Sequence, residues 1–486
     1  MSSSEENPLL GPGVNHDEHV ADDKDVYDQF SKAQKNFIVL AVSLAGLLPM
    51  FVTGIFVPSI PQIAHDLDST GADVSLAVSL SVFANAIGGL VWAAYSSFYG
   101  RRLMYLWGMP ILCVGSFAIA ASTSLRSLLL WRVVQAFGCA GGVSVGAAVI
   151  GDIYRVEQRG TAMGIFFGVT HFSYHNVKYF DDLSLLAKAT LLGVALAPIT
   201  GGTAAHYWSW RGMHFLLGIW GLIEMVIIYM FFPETIHPHS GGRDLMAPFK
   251  FVWINPFSGL WLLRSPNIMA VTLANTSAMV TEYVLLIPIA YTIGARYHIS
   301  NEALIGACFL PSGVGNFLAS AFAGRLSDAI VDKRKRNGAW VPEDRLRAAL
   351  IGGLFVPLSV GLSGLITTYI AGPLGLVLNL LCLFMNGVGV DFVLTPIGSY
   401  NVDVVQSRSA EVIAAVTAFR AVILVPVTAA VLPSIEMFGV AVTNGMATLL
   451  ALLGYGLIAL TIRYGDRMRA WVDVGYTLVE NNQPVE

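Results

Sequence analysis

Apolar residues in this chain do not alternate with polar ones; they gather in long runs separated by short polar connections. Runs of spanning length fall at about 37–59, 74–97, 103–122, 125–151, 189–207 and 212–232. They resume at about 267–294, 302–324, 346–369, 372–398, 410–434 and 438–463. A helix that crosses the hydrocarbon layer takes about 20 apolar residues, so the pattern predicts twelve transmembrane helices. The longest polar connections, about 234–266 and 325–345, follow helices six and eight. The first divides the helices six and six. Residues 1–35 hold Glu5, Glu6, Asp17, Glu18, Asp22, Asp23, Asp25 and Asp28 with few apolar groups. Such a segment cannot bury enough surface to offset its chain entropy, and disorder is expected. The predicted organisation is a tail 1–35, a first half 36–233, a central loop 234–266, a second half 267–463 and a tail 464–486.

Composition turns this pattern into a class. Of 486 residues, 55% are hydrophobic and 12% charged, against about 25% charged in a soluble domain. Single cores stop growing at about 250–300 residues, so the excess belongs in lipid. The chain is expected to be an all-α polytopic membrane protein, which excludes a soluble enzyme, a secreted disulfide scaffold and a nucleic-acid binder. A net charge of −4 agrees, since a nucleic-acid partner demands a basic face. Cys113, Cys139, Cys308 and Cys382 each stand alone in an apolar stretch and read as packing residues rather than metal ligands. Neither a phosphate-binding G-x-x-x-x-G-K nor a nucleophile–base cluster is found, so no cofactor and no enzymatic activity are expected. The first apolar run begins at Asn36, and no cleavable signal peptide is expected. With a cytosolic N-terminus, 21 Lys and Arg residues fall on cytosolic segments and three (Arg126, Arg211, Arg296) outside. Basic residues favour the inner side, so both termini are expected in the cytosol.

Three short segments carry a resemblance. Arg132-Val-Val-Gln135-Ala-Phe-Gly138 in helix four resembles an R-x-x-Q-G-x-G-like motif of the major facilitator superfamily. Gly193-x-x-x-Ala197-Pro198-x-x-Gly201-Gly202 in helix five resembles its antiporter motif, G-x(8)-G-x(3)-G-P-x(2)-G-G, with Ala197 in place of a glycine. Tyr99-Gly100-Arg101-Arg102 looks like the end of its loop 2–3 motif, G-x-L-a-D-R-x-G-R-R. Here Ala93 replaces the leading glycine and Ser97 the aspartate. Gly324-Arg325-Leu326-Ser327-Asp328 occupies the matching loop after helix eight, where Asp328 stands as the retained acid of the cytosolic gate. Trp210-Arg211, Pro233-Glu234-Thr235, Pro342-Glu343-Asp344-Arg345-Leu346 and Tyr400-Asn401-Val402-Asp403 with Arg420 add to the likeness. Together, from about residue 36 to 470, they resemble the fungal twelve-helix drug:proton antiporter branch. The resemblance implies the major facilitator fold, with two six-helix halves.

One stretch departs from the pattern. Residues 169–188 contain His171, His175, Lys178, Asp181 and Asp182 in the path of helix five, where lipid makes charge costly. Without these twenty residues Gly164 falls nine before Gly193, the spacing the antiporter motif asks for. A retained in-frame intron is one reading; a genuine extended cytosolic loop 4–5 is the other.

Ionisable groups inside the membrane are candidates for function, because an idle charge there is expensive. Arg132 lies one turn from Gln135, and the resemblance places this arginine by the central cavity. Glu282 sits mid-helix seven ahead of Pro288, where a carboxyl shielded from water is suited to carry a proton. Asp391, in the glycine-rich run from Asn386, is a proton or cation site or a gate residue, and Arg420 needs an acid such as Asp391. Asn85 is a polar cavity candidate. Glu224 is expected to snorkel or bond locally, while Phe83, Trp92 and Trp220 read more readily as packing than as cavity lining.

The function expected is proton-coupled export of a small organic molecule, a drug or secondary metabolite such as an alkaloid, by alternating access. A sugar or organic-acid facilitator, or a non-transporting sensor on the same fold, is the alternative. The partners are the substrate, protons and the bilayer, with no nucleic acid. The chain is expected to be a monomer in the plasma membrane, with a vacuolar or endosomal membrane as the other possibility.

Overall fold

The computed structural model of the chain describes residues 29–154, 197–235, 252–338, 341–405 and 409–472. Where these residues form regular structure they form helices, and eleven helices are long and apolar enough to cross a membrane. One label is used per crossing. The first six are α1 (Lys32–Gly54, continued by Ile60–Asp66), α2 (Gly71–Tyr99), α3 (Arg101–Ala120), α4 (Leu125–Cys139 and Gly141–Ile153), the described part of α5 (197–207) and α6 (Trp210–Phe231). The rest are α7 (Pro266–Leu286), α8 (Glu302–Ala307 and Leu310–Arg336), α9 (Leu346–Gly353 and Phe355–Tyr369), α10 (Gly372–Val404), α11 (Ser409–Phe438) and α12 (Val440–Trp471).

Hydropathy placed the crossings well and their ends less well, because a helix continues past the lipid wherever its backbone bonds can. Helix α1 starts at Lys32 rather than near 36. There Ser31 Oγ accepts from Gln34 N–H at 3.3 Å and Ser31 N–H donates to the Gln34 side chain at 2.9 Å, a reciprocal cap. Helix α8 runs on to Arg336, so Asp328 lies in a helix and not in a loop, and the expected connection 325–345 is mostly helical. Likewise α10 carries Asp403 and α12 extends to Trp471. After Pro288, which has no N–H to give, α7 loosens into a π-helical turn, Ala290–Gly294.

The crossings alternate in direction between two faces. The near face holds Lys32, Gly100, Glu234, Glu343 and Trp471; the far face holds Asp66, Trp210, Tyr291 and Glu302. Three apolar clusters fill the interior. One draws only on α1–α6, from Ile38 to Phe232, and a second only on residues from Leu262 onward. The third joins both groups of helices, bringing Phe56, Ile60, Val74 and Trp210 together with Val284, Ile293, Ile305 and Leu424. Most of its residues lie toward the far face, and the two sets of helices are welded there. Nearer the middle, Thr428 Oγ1 of α11 donates to Ser79 Oγ of α2 at 2.8 Å.

Candidate functional site

Midway along the second six helices, polar groups converge from four of them. Asn316 of α8 donates from Nδ2 to Glu282 Oε1 of α7 at 3.0 Å. Arg420 of α11 and Asp391 of α10 both lie within electrostatic reach of Glu282, and Tyr283 within reach of Arg420. With both acids ionised, two acids and one arginine leave one uncompensated negative charge, which is costly out of water, so the centre has room for one proton. The sequence singled out Glu282, Asp391 and Arg420; the structure brings all three together and adds Asn316. Behind them Asn386 Nδ2 donates to Thr281 Oγ1 and Ser359 Oγ, each at 3.1 Å, locking α10 to α7 and α9. Such amide and hydroxyl bonds between helices hold their register where no hydrophobic drive does.

Arg132 is placed differently from the expectation. Its side chain is fully buried among α1, α3, α4 and α6, not on an open cavity wall. Nη1 donates to Val52 O and to Gln135 Oε1, both at 2.9 Å, and the guanidinium sits over the Phe56 ring at 4.3 Å. Gln135 Nε2 then donates to Ser116 Oγ at 2.9 Å and lies 3.3 Å from His214 Nδ1. His214, four residues inside the far end of α6, was not singled out because a lone histidine in an apolar helix has no sequence signature. Asn85 on α2 is exposed, and a Cβ at Gly89, one turn on, would meet nothing within 4 Å. Phe83, also exposed, lies about 200° around the same helix. Trp92 is buried, donating to Phe137 O at 2.8 Å, and Trp220 packs edge-on to Phe51, so both are packing residues. Glu224 does not snorkel: it is 1% exposed, and Oε1 has no hydrogen-bond partner among the described residues.

At the near face, Gly100 turns the chain at φ +100°, a conformation that excludes a Cβ. The turn presents the first amides of α3 to the Glu234 carboxylate, which accepts from Arg101 N–H at 2.7 Å and Arg102 N–H at 3.2 Å. A carboxylate at a helix N-terminus satisfies donors that have no partner inside the helix. The Arg101 side chain pairs with Asp152 of α4 at 2.9 Å and donates to Ser96 Oγ at 2.8 Å; Arg102 Nη2 donates to Tyr229 O at 2.5 Å. Asp152 therefore supplies an acid to Arg101, at a turn whose motif-like segment carries Ser97 and not an aspartate. The second half builds the matching corner with charge reversed: Arg469, ending α12, holds Glu343 ahead of α9, and Tyr400 O–H donates to Glu343 Oε1 at 3.1 Å. Arg345 pairs with Asp403, and Arg347 with Asp344 at 2.7 Å.

The antiporter segment packs two ways. At Gly201 a Cβ would stand 2.5 Å from Ile55 O of α1, and at Gly202 it would stand 2.2 Å from Glu302 O of α8. The two glycines thus let α5 touch both sets of helices, with Ala197 and Pro198 alongside Gly54 and Gly306. Gly193 and residues 169–188 lie outside the described residues. The four cysteines are all buried, and no group of His, Cys, Asp and Glu able to hold a metal is found among the described residues.

Comparison with known proteins follows the same lines. The model of the Major Facilitator Superfamily matches residues 42–426. A citrate exporter of Aspergillus niger is 24% identical over 345 residues, covering 66% of this chain and 62% of its own; the chain thus spans under two thirds of that relative's length. The efflux pump radE of Floropilus chiversii is 23% identical over 457 residues, 89% of this chain and 80% of its own. An antiporter of Candida albicans, QDR3, is 30% identical over 202 residues, 42% of this chain and 26% of its own. Among solved structures, the human organic anion transporter MFSD10 superposes with a TM-score of 0.57 at 16% identity, covering 88% of this chain and all of its own, which speaks to the fold. With a family match across most of the chain and the same helical architecture, this protein belongs to the Major Facilitator Superfamily.

Proposed function

We propose that the protein is a proton-coupled secondary transporter that exports a small organic molecule by alternating access. The halves 36–233 and 267–463 move against each other, with 234–266 as the link between them. The observation that carries this reading is the convergence of Glu282, Asp391, Arg420 and Asn316 midway along the second half. With Glu282 ionised, Arg420 has its counter-charge and Asn316 donates to the carboxylate. With Glu282 protonated, Arg420 loses that counter-charge and is left to an anionic substrate group. The two ligands then favour different states, as coupling requires. Arg132 and Gln135 act from inside the first half by fixing α1, α3, α4 and α6 rather than by touching substrate. Asn85 faces the route, and Ala197, Pro198, Gly201 and Gly202 form the seam on which α5 rocks. Gly100, Arg101, Arg102 and Asp328 belong to the near-face gate.

The near face is the cytosolic one, since the basic residues crowd there. The state described is then shut toward the outside. The relatives' names include a citrate exporter, an efflux pump and an antiporter; the substrate class proposed is a fungal secondary metabolite, moved by a monomer in the plasma membrane. In proteoliposomes with an imposed pH gradient, uptake of labelled citrate and of rhodamine 6G as probes tests the reading. The wild type is expected to accumulate one of them, and Glu282→Gln to lose gradient-driven uptake by about tenfold or more while retaining exchange. Full gradient-driven uptake in that variant overturns it.

A further inference from the structure

We propose that His206 and Glu302 form a second proton-binding site, built across the far-face seam, whose proton favours the closed seam. The inference rests on alternating access as proposed above. His206 lies at the end of α5 and Glu302 opens α8, so the pair joins the first six helices to the last six. His206 Nδ1 stands 2.8 Å from Glu302 Oε2, with side chains 34% and 23% exposed. Both are therefore sheltered by the contact and reachable from the far-face water.

The contact is built and not incidental. Beneath it Gly202 lies against the Glu302 carbonyl and Gly306 against the Pro198 carbonyl, so the helix ends approach at backbone distance. Asn301 Oδ1 accepts from Ala303 and Leu304 N–H at 2.8 and 3.3 Å, setting the first turn of α8 and with it the position of Glu302. On the other side Gln62 Nε2 donates to Ala205 O at 2.9 Å, and the Tyr207 ring packs edge-on to His206 at 4.7 Å. Of the other charged groups of the far face, Asp66, Asp73 (accepting from Thr70 Oγ1 at 2.7 Å), Arg211 and Arg296 have partners of their own, and Asp68, Arg126, His298 and Glu436 make up the rest. Asp66 accepts from Trp210 Nε1 and Arg211 Nη1, each at 2.9 Å; His65 lies beside Asp66 at 3.8 Å; Arg296 Nη2 donates to Thr368 O at 3.2 Å.

The chemistry sets the direction. A neutral imidazole makes one ordinary hydrogen bond to the carboxylate, whereas an imidazolium makes a charge-assisted one and cancels its charge. Opening the seam separates the two and breaks that charge-assisted bond, so a protonated pair favours the closed seam, and by linkage acid outside favours closure. Histidine is the side chain whose charge changes in the range where an acidified exterior differs from the cytosol. A proton taken up at the far face would thus close the outside behind a departing substrate, before the proton at Glu282 is discharged inward.

The test is a spin-label distance measurement on the full chain in lipid nanodiscs, with labels at Arg126→Cys and Tyr369→Cys on opposite sides of the seam. Lowering pH from about 7.5 to 5.5 is expected to raise the short-distance population of the wild type about fivefold. His206→Gln and Glu302→Gln are each expected to abolish that response, while His206→Arg, which keeps a permanent cation, holds the seam closed at both pH values. An unchanged pH response in His206→Gln overturns the proposal, as does a wild type whose distances move with 5 mM citrate or rhodamine 6G but not with pH. A wild type with one fixed distance under every one of these conditions overturns alternating access itself.

Discussion

Replacing Glu234 by Gln isolates what the near-face corner contributes. The carboxylate receives two backbone N–H groups at the start of α3, at 2.7 and 3.2 Å, and these are amides that no helix carbonyl can serve. A hydrogen bond to a charged acceptor is worth about 1.5–3 kcal/mol against about 1 for a neutral one. A glutamine keeps one carbonyl oxygen, so one bond is weakened and the other lost, along with the anion at the helix N-terminus, worth about 0.5 kcal/mol. The sum is at least about 2.5 kcal/mol for opening the Gly100 corner, or about sixtyfold in local protection, as 1.4 kcal/mol is tenfold. Hydrogen–deuterium exchange of peptides covering 100–106 reads this directly. Glu234→Gln should speed exchange there about sixtyfold or more while α12 peptides stay unchanged. Gly100→Ala should do at least as much, since a Cβ would stand 2.5 Å from Glu234 Oε2 at a positive φ. Wild-type protection over 100–106 in Glu234→Gln would show that the corner is held by something else.

The other expectations are narrower. Gly202→Val drives a side chain into the Glu302 carbonyl, so it should shift the far-face label pair toward its long distance; an unaltered distribution would mean that the seam does not need this approach. Glu224→Met removes a buried carboxyl with an unpartnered oxygen, and burial of such a group is a cost. Its thermal midpoint should rise by about 2–4 °C with probe uptake unchanged, and a loss of uptake would give Glu224 a working role. Glu343→Gln should labilise the α9 and α12 ends in exchange measurements because it removes the charge that pairs with Arg469 and leaves Arg469 and Tyr400 only a neutral acceptor; protection equal to wild type would refute that anchor.

Much of this architecture could be read from the chain because lipid imposes a simple rule: every crossing must be a long apolar helix. The same rule exposes Glu282, Asp391 and Arg420, since a charge in such a run has few structural excuses. Their convergence could not be read, because helix spacing along the chain says nothing about which faces meet. Asn316 stayed hidden among polar residues that merely glue helices, and His206–Glu302 hidden because both lie at helix ends, where charge is ordinary. Arg132 shows the converse limit: a motif identified its importance, yet its place inside the first six helices depends on Val52, Phe56, Ser116 and His214, four residues scattered over three other helices. Helix ends were misplaced at α8, α10 and α12 because hydropathy marks the edge of the lipid, while Asp403 and Arg469 extend helices into water through ion pairs with Arg345 and Glu343.

The central claim is that Glu282 carries the coupling proton. Proteoliposomes loaded with a pH-sensitive dye, and given rhodamine 6G or citrate outside with no imposed gradient, test it most directly. The wild type should move protons opposite to the probe it transports. Glu282→Gln should exchange that probe with no proton signal. Equal proton movement in both proteins would place the coupling site elsewhere, and probe flux without proton movement in the wild type would contradict coupling altogether.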